Sequence, residues 1–340
     1  MQKKYFKWSF YIAGLLLLLL AAVALSLSIG EINLGFWDIF SILAKGNHSI
    51  EYTILSQIRI PRILLGIAIG GALSLAGVIL QGVYRNPLVE PYTMGISGGA
   101  SLGVAIAIVF SLHQSFGAFV LPLAGFAGSF LIIFLVYTIS TRRGRVNIQT
   151  MLLAGVMISF IASSSMMLLM AITSTENLHG IIFWIMGSLD EPDMSLIYFS
   201  LIVALASLLV SHLFVQPLNA LRLGEEKAKH LGINTDVAIK LLFLLSSLLA
   251  GVCVAVAGVI GFVGLIIPHL MRMVVGSDYR ILLVTSFLSG SIFLVLSDVI
   301  ARTIISPNEL PIGVITGIAG GIVFLLMMSR SSLKNTKSFQ

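Results

Sequence analysis

Apolar residues in this chain neither alternate with polar ones nor recur as a single helical stripe. They run on for about twenty positions at a time, the length one helix needs to cross the hydrocarbon core of a bilayer. Ten such segments can be drawn, near residues 10–29, 60–83, 93–111, 117–140, 148–172, 194–214, 239–258, 262–275, 281–299 and 311–328. The eighth is too short to span upright at 1.5 Å per residue, and it carries Pro268. That predicts a broken or partly re-entrant element, tolerable only where protein or a water-filled path surrounds it. A transmembrane barrel would alternate apolar and polar positions, and these runs are continuous.

Composition narrows the class further. Of 340 residues 58% are hydrophobic and 10% charged, against about 25% charged in an average soluble domain. Too few polar groups are present to cover a soluble globule, and the hydrophobicity excludes disorder. Cys253 is the only cysteine, which excludes a disulfide framework. The expectation is an all-α polytopic membrane protein, one transmembrane domain over 1–340.

The net charge of +6 would suggest nucleic acid in a soluble protein, but its distribution points to a membrane instead. With the N-terminus inside, the inner segments hold Lys3, Lys4, Lys7, Arg85, Arg142, Arg143, Arg145, Arg222, Lys227, Lys229, Lys240, Arg272, Arg280, Arg330, Lys334 and Lys337, or 16 of the 20 basic residues. The outside holds Lys45, Arg59, Arg62 and Arg302, while nine acids lie outside and five inside. This asymmetry predicts ten spans with both termini cytoplasmic. The lysines before the first run and Ala22-Val23-Ala24 resemble a signal peptide with its cleavage site, but the run continues to Ile29, which predicts a retained first helix.

Ala76-Gly77-Val78-Ile79 returns as Ala257-Gly258-Val259-Ile260, and Pro87 and Pro268 share the same offset of 181. Paired Gly/Pro-interrupted elements point to a transport path, although Ala, Gly, Val and Ile dominate this composition and chance stays open. Glycines at 95, 99, 103 and at 313, 317, 321 form ladders that let helix backbones approach.

Catalytic chemistry is sparse. No lysine follows a glycine, so there is no P-loop, and there is no H-E-x-x-H. The histidines at 48, 113, 179, 212, 230 and 269 lack metal-ligand spacing. Gly95-Ile96-Ser97-Gly98-Gly99 fits G-x-S-x-G and the shorter G-x-S-G of intramembrane serine proteases, with His269 as a conceivable base. A nucleophile elbow needs a strand before its serine, and none is expected here. No charged residue lies between Pro91 and Thr141 or between Val146 and Thr175, which argues against an ion-coupled secondary transporter.

The inner loop 215–240 is the largest cytoplasmic feature. Gly224-Glu225-Glu226-Lys227-Ala228-Lys229-His230-Leu231-Gly232 pairs Glu225 with Lys229 and Glu226 with His230 at i,i+4, bracketed by glycines. It reads as a short charged surface helix, either a solvated connector or a docking element for a cytosolic protein.

This loop resembles the coupling-helix segment of the FecCD-type permeases, the membrane subunits of ABC importers for iron–siderophore complexes, haem and cobalamin. Further segments resemble the family in order from about residue 55 to 325. They are Arg59-Ile60-Pro61-Arg62; Gln81 with Arg85-Asn86-Pro87-Leu88 and Pro91; Gly95 to Ala100; Gly261-Phe262-Val263-Gly264-Leu265-Ile266-Ile267-Pro268-His269 followed by Arg272; Asp298 with Ala301-Arg302; and Leu310-Pro311-Ile312-Gly313. The Gly95–Ala100 match supplies a non-catalytic account of Ser97, and residues 31–58 match no family segment.

The resemblance implies a type II ABC importer permease fold and a transport subunit with no enzymatic activity of its own. It implies no cofactor in this chain, with ATP and Mg²⁺ on a partner P-loop ATPase dimer that presses on residues 224–232. It further implies that Arg59, Arg62 and Arg302, at the outer surface, meet acidic residues of an extracytoplasmic substrate-binding protein. Asn86, Pro87 and Leu88 would belong to the cytoplasmic gate, and a second permease copy, most simply the same chain, would complete the path. An iron(III)–siderophore complex is the first expected cargo, with cobalamin and haem as alternatives.

Overall fold

The computed structural model describes residues 2–336 apart from 31, 33, 46–48, 118, 143, 144 and 192. Arg143, Lys337 and Glu31, counted above by side of the membrane, lie outside the described residues.

The ten apolar segments are ten helices: α1 (Gln2–Ser28), α2 (Ile60–Tyr84), α3 (Ile96–Val109), α4 (Val120–Ser140), α5 (Ile148–Ile172), α6 (Met194–Leu213), α7 (Thr235–Ala257), α8 (Val263–Val275), α9 (Tyr279–Thr303) and α10 (Ile312–Thr336). Polar caps start four of them where the chain enters the apolar layer. Asn147 accepts from Thr150 N, Asp193 from Ser195 N, Asn234 from Val237 N and Asp278 from Arg280 N. Each satisfies a backbone donor that the helix end leaves open. Short helices Phe36–Lys45, Leu112–Phe116, Thr175–Ile185, Val215–Leu221 and Glu225–His230 connect the long ones, and a two-residue antiparallel pair, Thr141–Arg142 with Arg145–Val146, precedes α5.

α2 is the central post, buried over nearly all its length and packed against α6, α7, α8 and α9. α1 and α5 lie at the periphery and expose most of their apolar side chains. Close approach at the centre depends on glycine: a Cβ at Gly77 would collide with the Gly264 backbone of α8, and one at Gly70 with Gly290 of α9. The Gly99–Gly103 ladder meets Gly128 and Ala124 of α4 in the same way. The second ladder behaves differently. Gly313 lies against Met186, whereas Gly317 and Gly321 face open space, and Gly320, outside the ladder, packs on Phe262.

Three sequence expectations need correction. Helix entering α2 begins ten residues before the predicted start: Ile50–Thr53 leads through a wide π-helical turn, Ile54–Arg59, directly into α2. Pro61 has no N–H to donate to the preceding turn, and the wide turn lies immediately upstream of it. The interruption of the eighth segment lies upstream of Pro268, which sits inside a continuous α8. α7 ends at Ala257, Gly258 adopts φ +69°, and Phe262 adopts φ +68° just before α8 starts. The 181-residue echo is not structural, because Ala76–Ile79 are internal to α2 while Ala257–Ile260 run out of α7. Helix order does recur: long, short, long, long describes α2–α5 and again α7–α10, and each short helix follows a left-handed residue, Gly95 or Phe262.

Pro268 also explains Gln81. In a regular helix the Gly264 carbonyl would accept from the N–H four residues on, which in proline is missing. Gln81 of α2 supplies the donor, its Nε2 lying 3.2 Å from the carbonyl oxygens of Gly264 and Leu265.

Candidate functional site

Functional residues gather at the two ends of the bundle. At one end α9, its connection to α10 and the end of α1 bring charges together around the start of α2. Arg62 makes a two-pronged contact with Glu309, its Nη1 2.7 Å from Oε1, and lies 3.9 Å from Asp298 through Nε, close enough for charge attraction but not a hydrogen bond. Arg302 donates from Nε to Asp298 at 2.9 Å and from Nη2 to the Ser26 hydroxyl at 3.0 Å. Arg59 donates to the carbonyls of Leu27 and Ile32, the first an open carbonyl of the last turn of α1. The hydrogen-bonded Arg62 guanidinium holds the Glu309 carboxyl below the usual carboxylate range, against the opposing effect of partial burial.

The sequence places Arg59, Arg62 and Arg302 at the outer surface as charges open to a partner. The structure brings all three to that end but beneath the surface, 3%, 6% and 8% exposed, with donors turned to groups of the same chain. The physical reason is that a guanidinium among apolar helices must find acceptors, and Asp298, Glu309 and carbonyls near the end of α1 supply them. The cluster is not sealed. Arg62, Arg302, Asp298 and Glu309 line a cleft of about 280 Å³, and Arg59 borders a smaller one beside it. Asp298 is a buried carboxylate that the sequence argument against ion coupling does not anticipate. It is committed to two arginines near the end of α9.

At the opposite end the Glu225–His230 helix is present as the i,i+4 spacing predicts, with Lys229 Nζ 2.8 Å from Glu225 Oε1. Gly224 precedes it at φ +110°, and Gly232 follows in the left-handed region, a conformation that favours glycine. Ala228 is fully buried, while Glu226, Lys227, Lys229 and His230 are exposed. Leu223 and Leu231 are 59% and 63% exposed and flank the charged turn. Asn86-Pro87-Leu88 forms a tight turn after α2, Asn86 Oδ1 accepting from Leu88 N at 2.9 Å, with Leu88 exposed. Gly224 lies beside the Arg85 guanidinium, so the Asn86-Pro87-Leu88 turn and the 224–232 segment adjoin. Lys4 Nζ lies 3.0 Å from Asp278, which puts the N-terminus at this same end, as the charge asymmetry requires.

Ser97 is preceded by a 3₁₀ turn, Pro91–Met94, rather than a strand, and no hydrogen bond joins it to a histidine among the described residues. Among those residues no three His, Cys, Asp or Glu side chains gather as metal ligands. Sequence reasoning did not assign partners to Asp298 and Glu309. The i,i+4 spacing of Asp298 and Arg302 was a readable signal for one, but nothing local ties Glu309 to Arg62.

The chain is similar to known proteins over nearly its whole length. The sequence profile of the FecCD transport family matches residues 17–330. The hemin transport system permease protein HmuU of Yersinia pestis is 38% identical over 93% of this chain and 95% of its own. The vitamin B12 import system permease protein BtuC of Klebsiella pneumoniae is 37% identical over 97% of this chain and 96% of its own. Among solved structures, an inward-facing metal-chelate-type ABC transporter superposes with a TM-score of 0.83 at 33% identity, covering 94% of this chain and 98% of that one. Ten apolar helices, a charged helix at the cytoplasmic end and these similarities lead to one conclusion: the chain is a multi-pass ABC importer permease and belongs to the FecCD transport family.

Proposed function

We propose that the chain forms the membrane path for a metal chelate, which is delivered by an extracytoplasmic binding protein and moved inward by a separate ATPase dimer using ATP and Mg²⁺. The observation that carries this reading is the exposed Glu225–His230 helix, with Leu223 and Leu231 standing out on either side of it. An apolar pair flanking a charged turn suits insertion into a groove on a partner. In this reading residues Gly224 to Gly232 transmit closure of the ATPases to the bundle, and Asn86, Pro87 and Leu88, adjoining them, gate the inner mouth. A rigid bundle with two arrangements converts that motion into alternating access.

Arg59, Arg62 and Arg302 dock the binding protein through the clefts they line. An acidic side chain entering there would meet Arg62 in competition with Glu309, and charges so placed set orientation more than affinity. A second copy of the chain completes the path. The open glycine edge at Gly317 and Gly321 and the exposed Ile318 and Leu325 of α10 support a helix from another subunit approaching there.

For the cargo, an iron(III)–siderophore complex is the first candidate from the family resemblance. Haem is a second reading, favoured by the 38% identity to a hemin permease, and cobalamin a third, favoured by a relative almost as similar. Uptake by matched cells with and without this gene separates them, using a radio-iron siderophore, labelled haem and labelled cobalamin at limiting concentration. Selective loss of siderophore uptake is the expected outcome. Selective loss of another cargo replaces the substrate and keeps the mechanism, and no loss of any of the three removes the metal-chelate reading.

A further inference from the structure

The cytoplasmic end holds a cleft of about 420 Å³ that touches the proposed gate only at Pro87. Arg85 enters it from the end of α2, Arg222 from the connector before the Glu225–His230 helix, and His269 and Arg272 from α8, with Gln81 and Tyr279 also lining it. Among the described residues no acidic side chain lines it. The carboxylate of the adjoining Asp278 is committed to Lys4 at 3.0 Å and Asn219 at 3.3 Å. Arg222 uses one donor on the Ser277 carbonyl at 2.6 Å, and Arg272 and Tyr279 line the same cleft. Among the described residues none of Arg85, Arg222 and Arg272 enters an ion pair, in contrast with Arg62 and Arg302 at the outer end.

Three guanidinium groups brought from three elements into one concavity repel one another, and low-dielectric walls focus their field. An excess of positive charge on the inner loops is ordinary, but it normally spreads over exposed loops and does not converge on a cleft without acids. Arg85 adds a sign of construction: it is a non-glycine residue in the left-handed region, φ +51°, a conformation that lets α2 end and turn there. The guanidinium fork fits the tetrahedral oxyanion of a phosphate in two-pronged fashion. The cleft also borders Met273, which is 68% exposed, as expected of a basic pocket between helices that takes a lipid headgroup.

We propose that this cleft is a binding site for a phosphate-type oxyanion, supplied either by the headgroup of an anionic phospholipid of the inner leaflet or by a soluble phosphate compound. Occupancy would tie together the end of α2, the connector into the Glu225–His230 helix and α8, so the anion would stiffen the inner end of the bundle. The site stands on the cleft alone and requires neither the ATPase nor a cargo, so its failure leaves the importer reading untouched.

The test uses the full-length permease in nanodiscs of phosphatidylcholine with or without phosphatidylglycerol, and sodium pyrophosphate as the soluble probe. Retained lipid is read by native mass spectrometry, and pyrophosphate by its shift of the unfolding temperature in pure phosphatidylcholine. Wild type is expected to retain phosphatidylglycerol. The double variant Arg222→Gln/Arg272→Gln should weaken retention by about tenfold or more, since each loses hydrogen bonds to a charged group. Arg222→Lys/Arg272→Lys, which keeps the charge and loses the fork, should fall between. Lys240→Gln removes an inner charge placed instead over the Tyr137 ring, and should retain lipid like wild type. Unfolding temperatures in phosphatidylcholine alone show which variants fold. Pyrophosphate binding that needs the same arginines, without lipid retention, assigns the soluble source. Retention of neither probe, equal loss in Lys240→Gln, or protection of the arginines only on adding the ATPase would overturn the proposal, the last by making the cleft a protein contact.

Discussion

Removing the Asp298 carboxylate leaves Arg302 without its closest charge and Arg62 with only Glu309. Breaking a buried pair from one side costs about 3–5 kcal/mol. Asp298→Ala should therefore lower the unfolding temperature in detergent by several degrees, and Asp298→Asn/Arg302→Gln should recover part of the loss because no charge is then stranded. An unchanged midpoint for Asp298→Ala would show that the outer cluster is not what holds α9 to α2. Glu309 offers a pH test. Its lowered pKa means that the ionised form is the bound one, so its contribution is full above the free carboxylate value of about 4.3 and disappears as pH falls through the lowered value. Hydrogen-exchange protection of the Leu310 amide, which bonds Ala301 O at 3.0 Å, should be flat from about pH 5 to 8 and fall only in stronger acid. Arg62→Gln should remove that step, and a step near neutrality would contradict the pairing.

Between elements, Gln81 of α2 donates to the Gly264 carbonyl that Pro268 leaves short of a donor. Gln81→Leu should destabilise the bundle by about 1–3 kcal/mol, because a carbonyl in an apolar interior then lacks its donor. Pro268→Ala restores the donor inside α8, so Gln81→Leu/Pro268→Ala should be more stable than Gln81→Leu alone. If the second substitution gives no rescue in thermal unfolding, Gln81 acts through packing and not through its amide. The same pair shows what spacing alone conveys. Pro268 in a short apolar run announces an interruption, but the chain breaks upstream of it, at Gly258 and Phe262, which both take positive φ.

For the whole transporter, the coupling proposal predicts a loss of assembly without a loss of fold. Lys227→Glu/Lys229→Glu and Leu231→Asp change exposed side chains within and just after the Glu225–His230 helix, so the unfolding temperature of the isolated permease should stay within about a degree of wild type, as surface changes generally do. Co-purification of the ATPase and ATP-driven uptake should both fall by tenfold or more, as expected when a central contact of an interface is lost. Normal uptake by Leu231→Asp would remove these residues from the coupling path. A variant that loses uptake but keeps the ATPase would place them after docking, in transmission.

The number of spans, their side of the membrane and the charged inner helix follow from local properties. An apolar run of sufficient length must be helical in lipid because its backbone has no other partner, basic residues stay inside, and the i,i+4 spacing of Glu225 and Lys229 needs only one turn to form. The partners of the outer arginines were open until the chain folded. Arg62 and Glu309 are 247 positions apart, and Arg59 is satisfied by carbonyls near the end of α1. The same holds for the open face of Gly317 and Gly321, the wide turn before Pro61 and the convergence of Arg85, Arg222 and Arg272. Each depends on which surfaces meet when ten helices pack, and hydrophobic periodicity carries no record of that in a chain whose helices are apolar nearly all round.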